Sequence, residues 1–247
     1  MSSPDIASET SPDLPSEESH DRAEHSARLN QLRAGVLGAN DGIVSVAGMV
    51  VGVAAATPTF AALAIAGAAA LSAGALSMAM GEYVSVSTQR DTERSLLARE
   101  RQRLAEEPER ELDALAASLE ETGIPTDLAR QAAERMSEHD ALDAHARVRY
   151  GIEEEAIASP LGAAFASLIA FTLGGLLPVI AVLATPVALK VPAVVLAVVV
   201  ALALTGYISA RLGQAKAGRA TIRTILGGTA AMAVSYGIGT LLGVSVI

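Results

Sequence analysis

The sequence has no cysteine and few aromatic residues, and each shortage narrows what the chain can be. Without cysteine, the 247 residues form no disulfide, bind no zinc through thiolates and offer no cysteine nucleophile. Only 3% of the residues are aromatic although 51% are hydrophobic. The apolar residues are mostly Ala, Val and Leu, accompanied by many glycines. This composition is typical of membrane helices and not of the core of a soluble α/β domain.

A surplus of basic residues is also missing. The formal net charge is −9, so the chain has no excess of Lys and Arg with which to neutralise a phosphate backbone. Nucleic acid is therefore not an expected partner.

Five stretches with one charge or none are long enough to cross a bilayer, which takes about 20 apolar residues. They are residues 35–56, 60–80, 161–184, 191–210 and 225–247. The basic residues of the connectors lie almost entirely on one side, which the positive-inside rule assigns to the cytoplasm. We therefore predict an all-α, multi-pass integral membrane protein with five transmembrane helices, its N-terminus in the cytoplasm and its C-terminus outside.

Polar segments divide the chain further. Residues 1–28 are predicted to be a disordered acidic cytoplasmic tail, 29–89 hold the first two spans, and 159–247 hold the last three. Residues 90–158, which we call the insert, contain eighteen of the twenty-seven acidic residues and ten arginines. Charged neighbours three and four apart predict exposed helices there, the first of them continuous with the second span. The insert is thus predicted to be a cytoplasmic helical domain.

Only two acidic residues remain for the membrane region, Asp41 and Glu82. Asp41 follows Arg33 by eight residues, and Glu82 precedes Arg90 by eight. Because a short turn joins the first two spans, the spans run antiparallel, and both carboxylates are expected at the same depth, about 12 Å inside the arginines. Ionised groups at such positions usually face an internal path and serve transport or proton transfer.

The neighbours of these carboxylates favour a metal ion. Met78, Glu82 and Ser85 share one helical face, and Ser45 lies one turn from Asp41. Carboxylate oxygen together with thioether sulfur suits Fe²⁺ or Mn²⁺ better than calcium. Each residue also has a plainer interpretation, in which the methionine only packs and the glutamate reaches the membrane surface.

Two motifs make the sequence resemble a known family. The stretches "LRAGVLGANDGIVSVAGMVVGVAAA" and "LSAGALSMAMGEYVSVSTQRDTE" are similar to the first two helices of the vacuolar iron transporter family, also described as nodulin-like, in its bacterial form. The resemblance implies a homodimeric five-helix transporter in a bacterial inner membrane that exchanges Fe²⁺, often also Mn²⁺, for protons and exports the metal. It implies no tightly bound cofactor. It assigns Asp41, Met78 and Glu82 to the transport path.

The same resemblance implies that the insert gathers metal ions. Its ligand positions correspond to Glu100, Glu111 and Glu153, with His145 in place of a thioether. The sequence departs from the pattern where further carboxylates are expected, at Arg103, Ala114 and Arg149. A guanidinium repels a dication and occupies the oxygens itself. The insert is therefore either a metal-binding domain or a salt-bridged spacer.

Other classes of function were compared with transport. An intramembrane protease needs a histidine or a second aspartate in the bilayer, and neither occurs, so the protein is not expected to be an enzyme. A passive cation channel would have a similar lining, and a membrane-tethered metal sensor or scaffold would carry no flux. The glycines at positions 35, 38, 42, 48 and 52 permit close helix contact and are consistent with a dimer built around the first helix.

Overall fold

The computed structural model describes residues 16–152, 159–213 and 216–245, and these residues form α-helices, one π-helical turn and one 3₁₀ turn but no strand. The α-helices are α1 Ser16–Ala56, α2 Phe60–Glu106, α3 Pro108–Glu121, α4 Thr126–His145, α5 Pro160–Ala184, α6 Lys190–Leu212 and α7 Ala217–Ser245. The π turn is Ala146–Tyr150 and the 3₁₀ turn is Val187–Leu189.

Five of these helices, α1, α2, α5, α6 and α7, are long and apolar enough to cross a membrane. They direct large aliphatic side chains outward, for example Ile65, Leu173, Leu196 and Leu241. In water such a surface would be unfavourable, whereas lipid is as apolar as leucine. The prediction of an all-α, multi-pass membrane protein with five transmembrane helices is confirmed.

Local sequence signals determine several helix ends. Ser159 lies before α5 and its hydroxyl accepts a hydrogen bond from the Gly162 amide at 3.2 Å, while Pro160 fills the first helical position. Pro108 begins α3 in the same way, and Gly123 follows that helix with a φ of +95°. α2 runs unbroken from Phe60 to Glu106, as the absence of Gly-Pro signals between its apolar and charged parts predicts.

α1 begins earlier than the composition suggests. Its first residue is Ser16, inside the stretch 1–28 for which a disordered tail is predicted. Adding a residue to an existing helix fixes one residue for one hydrogen bond, so a stable apolar span can extend into a polar flank. Residues 1–15 lie outside the described part.

The chain divides into two compact units. One combines Leu29–Glu93 with Ala158–Ile247 and is called the membrane unit; the other combines Met1–Arg28 with Arg94–Ile157 and is called the charged unit. The membrane unit is built around α1, the most buried of its helices. Apolar residues of α1 share one core cluster with residues of α2, α5, α6 and α7, and the cluster includes Val46, Val50, Leu63, Phe171, Val182, Val198, Leu202 and Met232.

Glycines let the backbones of the membrane unit approach closely within one chain. A Cβ atom added at Gly42 would overlap the carbonyl of Phe171 in α5, and one added at Gly52 would lie 3.0 Å from the carbonyl of Ser235 in α7. Gly38 and Gly48 are equally close to Ser167 and Ser235. The sequence predicts close helix contact at these glycines and is consistent with a dimer there. For these four glycines the close partners belong to the same chain.

One buried charge stabilises the far end of α5. The Lys190 ammonium is 5% exposed and donates a hydrogen bond to the Val182 carbonyl at 2.6 Å. The last carbonyls of a helix lack amide partners and carry partial negative charge. Lys190 therefore caps α5 from the beginning of α6.

The charged unit has a small core of its own. α3 and α4 pack through Leu115, Leu119, Ala129 and Ala133. The charged part of α2 is less exposed than its charge pattern predicts, because Leu97 is 4% exposed and Glu100 is fully buried. The prediction of a fully exposed helix is wrong on this face, since residues distant in sequence cover it.

Candidate functional site

Three predicted ligand residues meet inside the charged unit. Glu100 on α2, Glu111 on α3 and His145 at the end of α4 are all buried, and one potential ligand atom from each lies within 4.8 Å of those of the other two. Among the described residues this is the only group of three or more acidic or histidine side chains close enough to share an ion. Glu153, the fourth predicted ligand, lies outside the described residues.

An irregular stretch at the end of α4 positions the cluster. The helix breaks at Asp140, where φ is −156°, and the Asp140 carboxylate accepts a hydrogen bond from the Asp143 amide at 3.0 Å, which restarts the helix. The π turn Ala146–Tyr150 follows and ends at Gly151, whose φ is +64°. Because a π turn repeats after about four to five residues, His145 and the last two residues of the turn face the same side.

One nitrogen of Arg149 lies between the two carboxylates. Its Nη1 atom is 2.8 Å from Glu100 Oε1 and 2.7 Å from Glu111 Oε2. Arg149, one of the residues that depart from the family's ligand pattern, therefore lies inside the cluster itself. The guanidinium does what the sequence suggested and occupies acceptor oxygens.

Glu100 is the centre of the network. Its Oε1 also contacts His145 Nδ1 at 2.6 Å, and its Oε2 accepts hydrogen bonds from the Tyr150 hydroxyl at 2.7 Å and from Arg103 at 3.2 Å. Arg103 and Arg149, the two arginines that replace expected carboxylates, both bind this one glutamate. Tyr150 was not predicted from the sequence, because its role depends on the π turn.

The protonation state follows from these contacts. Glu100 lies in the charged part of α2, beyond the apolar stretch. Burial by itself would raise its pKa, but the hydrogen bonds from Tyr150 and His145 and the charge of Arg149 outweigh burial and keep that pKa below its ordinary value. Since Glu100 is ionised at neutral pH, the short contact requires a proton on His145 Nδ1. His145 Nε2 is buried without a hydrogen-bond partner among the described residues.

In the membrane unit, Asp41 lies on the outward face of α1. Asp41 and Ser45 are exposed on the surface of the single chain, and so are Leu37 and Met49, which continue the same line at intervals of four residues. The Ser45 hydroxyl contacts the Asp41 carbonyl and lies 3.5 Å from Asp41 Oδ1. Met49 was missed in the sequence analysis, although its spacing of eight residues from Asp41 indicates the shared face.

This line of residues borders a groove between α1 and α7. The groove has a volume of about 470 Å³ and is lined by small or apolar residues together with Ser45, Met49 and Ser235. Gly48 and Gly52 form its floor. The exposed carboxylate of α1 is therefore followed along the same helix by a hydroxyl and a thioether.

The other predicted path residues lie on α2. Met78 is half-buried and packs against the membrane core, Glu82 is half-buried, and Ser85 is exposed. Within the described part of the chain, Glu82 makes no hydrogen bond or ion pair, and none joins it to Asp41. The structure thus leaves Glu82 and Asp41 as separate carboxylates on two different spans, neither of them in an ion pair among the described residues.

Five apolar helices with carboxylates in two of them define a class, the multi-pass helical membrane proteins that have ionisable groups within their spans. The chain belongs to the VIT family, whose family model matches residues 32–240. The resemblance to this family, stated from the sequence, is thereby confirmed. Members of this family are transporters, so the prediction that the protein is not an enzyme is confirmed as well.

The sequences of individual relatives align with this chain over most of their length. The chain is 38% identical over 211 residues to a vacuolar iron transporter of Acanthamoeba castellanii, an alignment that covers 85% of this chain and 78% of the relative. It is 36% identical to vacuolar iron transporter homolog 5 of Oryza sativa, with 88% and 83% covered. It is 34% identical to vacuolar iron transporter homolog 2 of Arabidopsis thaliana, with 89% and 88% covered.

Proposed function

We propose that this protein transports Fe²⁺, and also Mn²⁺, out of the cytoplasm in exchange for protons. The relatives named as iron transporters support iron as the cargo. The observation that carries the proposal is the position of Asp41, an exposed carboxylate within the span Leu32–Ala56. An ionised group there is unfavourable in lipid unless it faces water, an ion or another protein surface.

The exposed line on α1 supports a homodimer. If two copies place this face of α1 against each other, Asp41, Ser45 and Met49 of each copy leave the lipid and line a shared path. Oxygen ligands followed by a thioether suit a borderline divalent metal ion. Since four of the α1 glycines, at positions 38, 42, 48 and 52, pack within the chain, the proposed dimer rests on this polar line and not on their contacts.

Proton exchange follows from competition for the same atoms. A carboxylate binds a metal ion only when it is deprotonated, so metal binding releases a proton and protonation releases the metal. Neither Asp41 nor Glu82 is in an ion pair among the described residues, which leaves their oxygens available for either ligand. Met78, one turn from Glu82 on α2, supplies a further soft ligand on the outward route. Ser45 and Ser85 provide hydroxyls beside the two carboxylates.

The orientation is part of the proposal. We place the charged unit and the N-terminus in the cytoplasm and the C-terminus outside, in the inner membrane of a bacterium. The arginines that flank the first two spans support this orientation through the positive-inside rule.

Reconstituted liposomes with a metal-sensitive dye and a pH-sensitive dye test the proposal. We expect Fe²⁺ entry coupled to proton counterflow in the wild type, and at least a tenfold loss in Asp41→Asn and Glu82→Gln. Met78→Leu keeps the volume but removes the sulfur, so it should slow metal flux and leave folding intact. Glu134→Gln is the matched control, because Glu134 is an exposed carboxylate of the charged unit that pairs with Arg130.

The outcomes separate the alternatives. Metal flux without proton movement would contradict the exchange mechanism and indicate a passive channel. Absence of any flux in a correctly folded wild type would contradict transport and indicate a sensor or scaffold. Wild-type flux in Asp41→Asn would remove Asp41 from the path.

A further inference from the structure

We infer that Arg149 is a built-in cation that takes the place of a metal ion between Glu100 and Glu111, so that this cluster does not bind divalent cargo. The inference concerns the charged unit alone and does not rest on the proposed transport path through Asp41. On this inference, the cluster of three potential metal ligands is a structural network of internal ion pairs.

Distance is the first argument. A transition metal such as iron or zinc lies about 2.0–2.2 Å from carboxylate oxygens. Arg149 Nη1 is already 2.8 Å from Glu100 Oε1 and 2.7 Å from Glu111 Oε2. A metal bridging these two oxygens would compete with the guanidinium for the same oxygen lone pairs. The guanidinium therefore opposes metal binding at this pair of oxygens.

Charge is the second argument. Glu100 and Glu111 supply two negative charges, and Arg149 and Arg103 supply two positive charges within ion-pairing distance. Two guanidinium groups therefore balance the two carboxylates without a metal. A dication added beside Arg149 would meet a fixed positive charge in a region of low dielectric, where repulsion is strong.

The second oxygen of Glu100 is also committed. Glu100 Oε2 accepts from Tyr150 and Arg103, and the Nδ1 atom of His145 is the donor to Glu100 Oε1. A metal bound between Glu100 Oε1 and His145 Nδ1 would have to displace the His145 proton and break the contact of Arg149 with Oε1. Among the described residues no further acidic or histidine ligand lies close enough to complete a coordination sphere of four.

Arg149 is held in place rather than free to leave. It follows His145 by four residues on the π turn, and its guanidinium lies 5.7 Å from the centre of the Tyr150 ring. Gly151 ends the turn directly after it, in a left-handed conformation. Moving the guanidinium out would leave the buried Glu111 carboxylate without an arginine partner and would remove one of the two arginines that pair with Glu100, which is costly for buried charges.

A binding experiment on the full-length protein in detergent tests the inference. Equilibrium dialysis with Co²⁺ measures ions bound per chain, and the visible absorption of bound Co²⁺ reports its ligands. We expect Glu111→Gln to leave the binding of the wild type unchanged. We expect Arg149→Met to gain one ion per chain, and the double variant Arg149→Met, Glu111→Gln to lose that ion again.

Two controls make the result specific. Arg147→Met removes a neighbouring arginine that pairs with the surface residue Asp143 at 2.8 Å, and it should gain nothing. Arg149→Lys keeps a cation at the site and should also gain nothing. Adding Asp41→Asn to the wild type and to each variant identifies ions bound in the membrane unit, because only those ions should be lost. Failure of this inference and failure of the transport proposal therefore give different results.

The inference is overturned if the wild type binds an ion that Glu111→Gln removes, since the cluster would then admit metal beside or instead of Arg149. It is also overturned if Arg149→Met folds but gains no ion. If Arg149→Met does not fold, the comparison of wild type with Glu111→Gln decides the question by itself.

Discussion

Neutralising Glu100 should destabilise the charged unit more than any other single carboxylate change there. Glu100 is fully buried and accepts contacts from Arg149, Arg103, Tyr150 and His145. In Glu100→Gln, the side-chain NH₂ group would face at least one hydrogen-bond donor of these four residues, so that contact would be lost. Breaking one side of a buried ion pair costs about 3–5 kcal/mol.

The lower end of that range applies here. The side chain of Arg149 is 23% exposed and that of Arg103 is 47% exposed, so water recovers part of their lost interaction. We therefore expect a loss of about 3 kcal/mol in the free energy of unfolding of the charged unit. For comparison, Glu134→Gln breaks a pair whose side chains are 48% and 38% exposed, which should cost about 0.5 kcal/mol.

Hydrogen exchange measured by mass spectrometry provides the assay, because it follows α3 and α4 separately from the membrane helices. A loss of about 3 kcal/mol corresponds to exchange about a hundredfold faster when amides open through unfolding of the unit. Glu134→Gln should change the rate by less than threefold. Equal rates in Glu100→Gln and Glu134→Gln would refute the argument that burial and multiple contacts make Glu100 decisive.

Three further predictions address the two units. The lowered pKa of Glu100 stabilises the charged unit at pH values above the ordinary value of 4.5, and this stability is lost as the pH falls through the folded-state pKa. Hydrogen exchange of α3, measured between about pH 6 and pH 3 and corrected for intrinsic rates, should therefore become faster on acidification in the wild type. The increase should be smaller in Glu100→Gln. Gly42→Ala should lower the free energy of unfolding of the membrane unit by about 1–3 kcal/mol, because the new methyl group overlaps the Phe171 carbonyl. The control in a thermal-aggregation assay is Gly35→Ala, since a Cβ at Gly35 has nothing within 4 Å. Equal melting temperatures of the two variants would contradict the close packing. Lys190→Met keeps the aliphatic chain but removes the cap of α5, and a loss of about 1 kcal/mol should appear in the same assay; unchanged melting would show that the buried ammonium contributes nothing.

The membrane helices could be predicted from the sequence because they depend on local composition. A run of about 20 apolar residues crosses the bilayer whichever helices surround it. The break before Phe60 follows from Thr57, Pro58 and Thr59, and the start of α5 follows from Ser159 and Pro160. These signals act within a few residues, so no knowledge of the packing is required.

The functional residues were only partly predictable. The spacing of Asp41, Ser45 and Met49 defines one face of α1, but which face stays outside depends on how α5 and α7 pack against the others. The glycines illustrate the same limit. Their spacing indicates close contact, and only the packed structure assigns Gly42 to α5 and Gly52 to α7.

The sequence by itself determined the five spans, the charged insert, and the presence of arginines where carboxylates are expected, because hydropathy and charge are properties of short segments. Only the tertiary structure decided that Arg149 lies between Glu100 and Glu111, which are 49 and 38 residues away from it along the chain. The reason is physical. The cluster is buried where three helices, the break at Asp140 and the π turn pack together. This packing depends on the free energy of the whole unit, and no local sequence pattern contains that information.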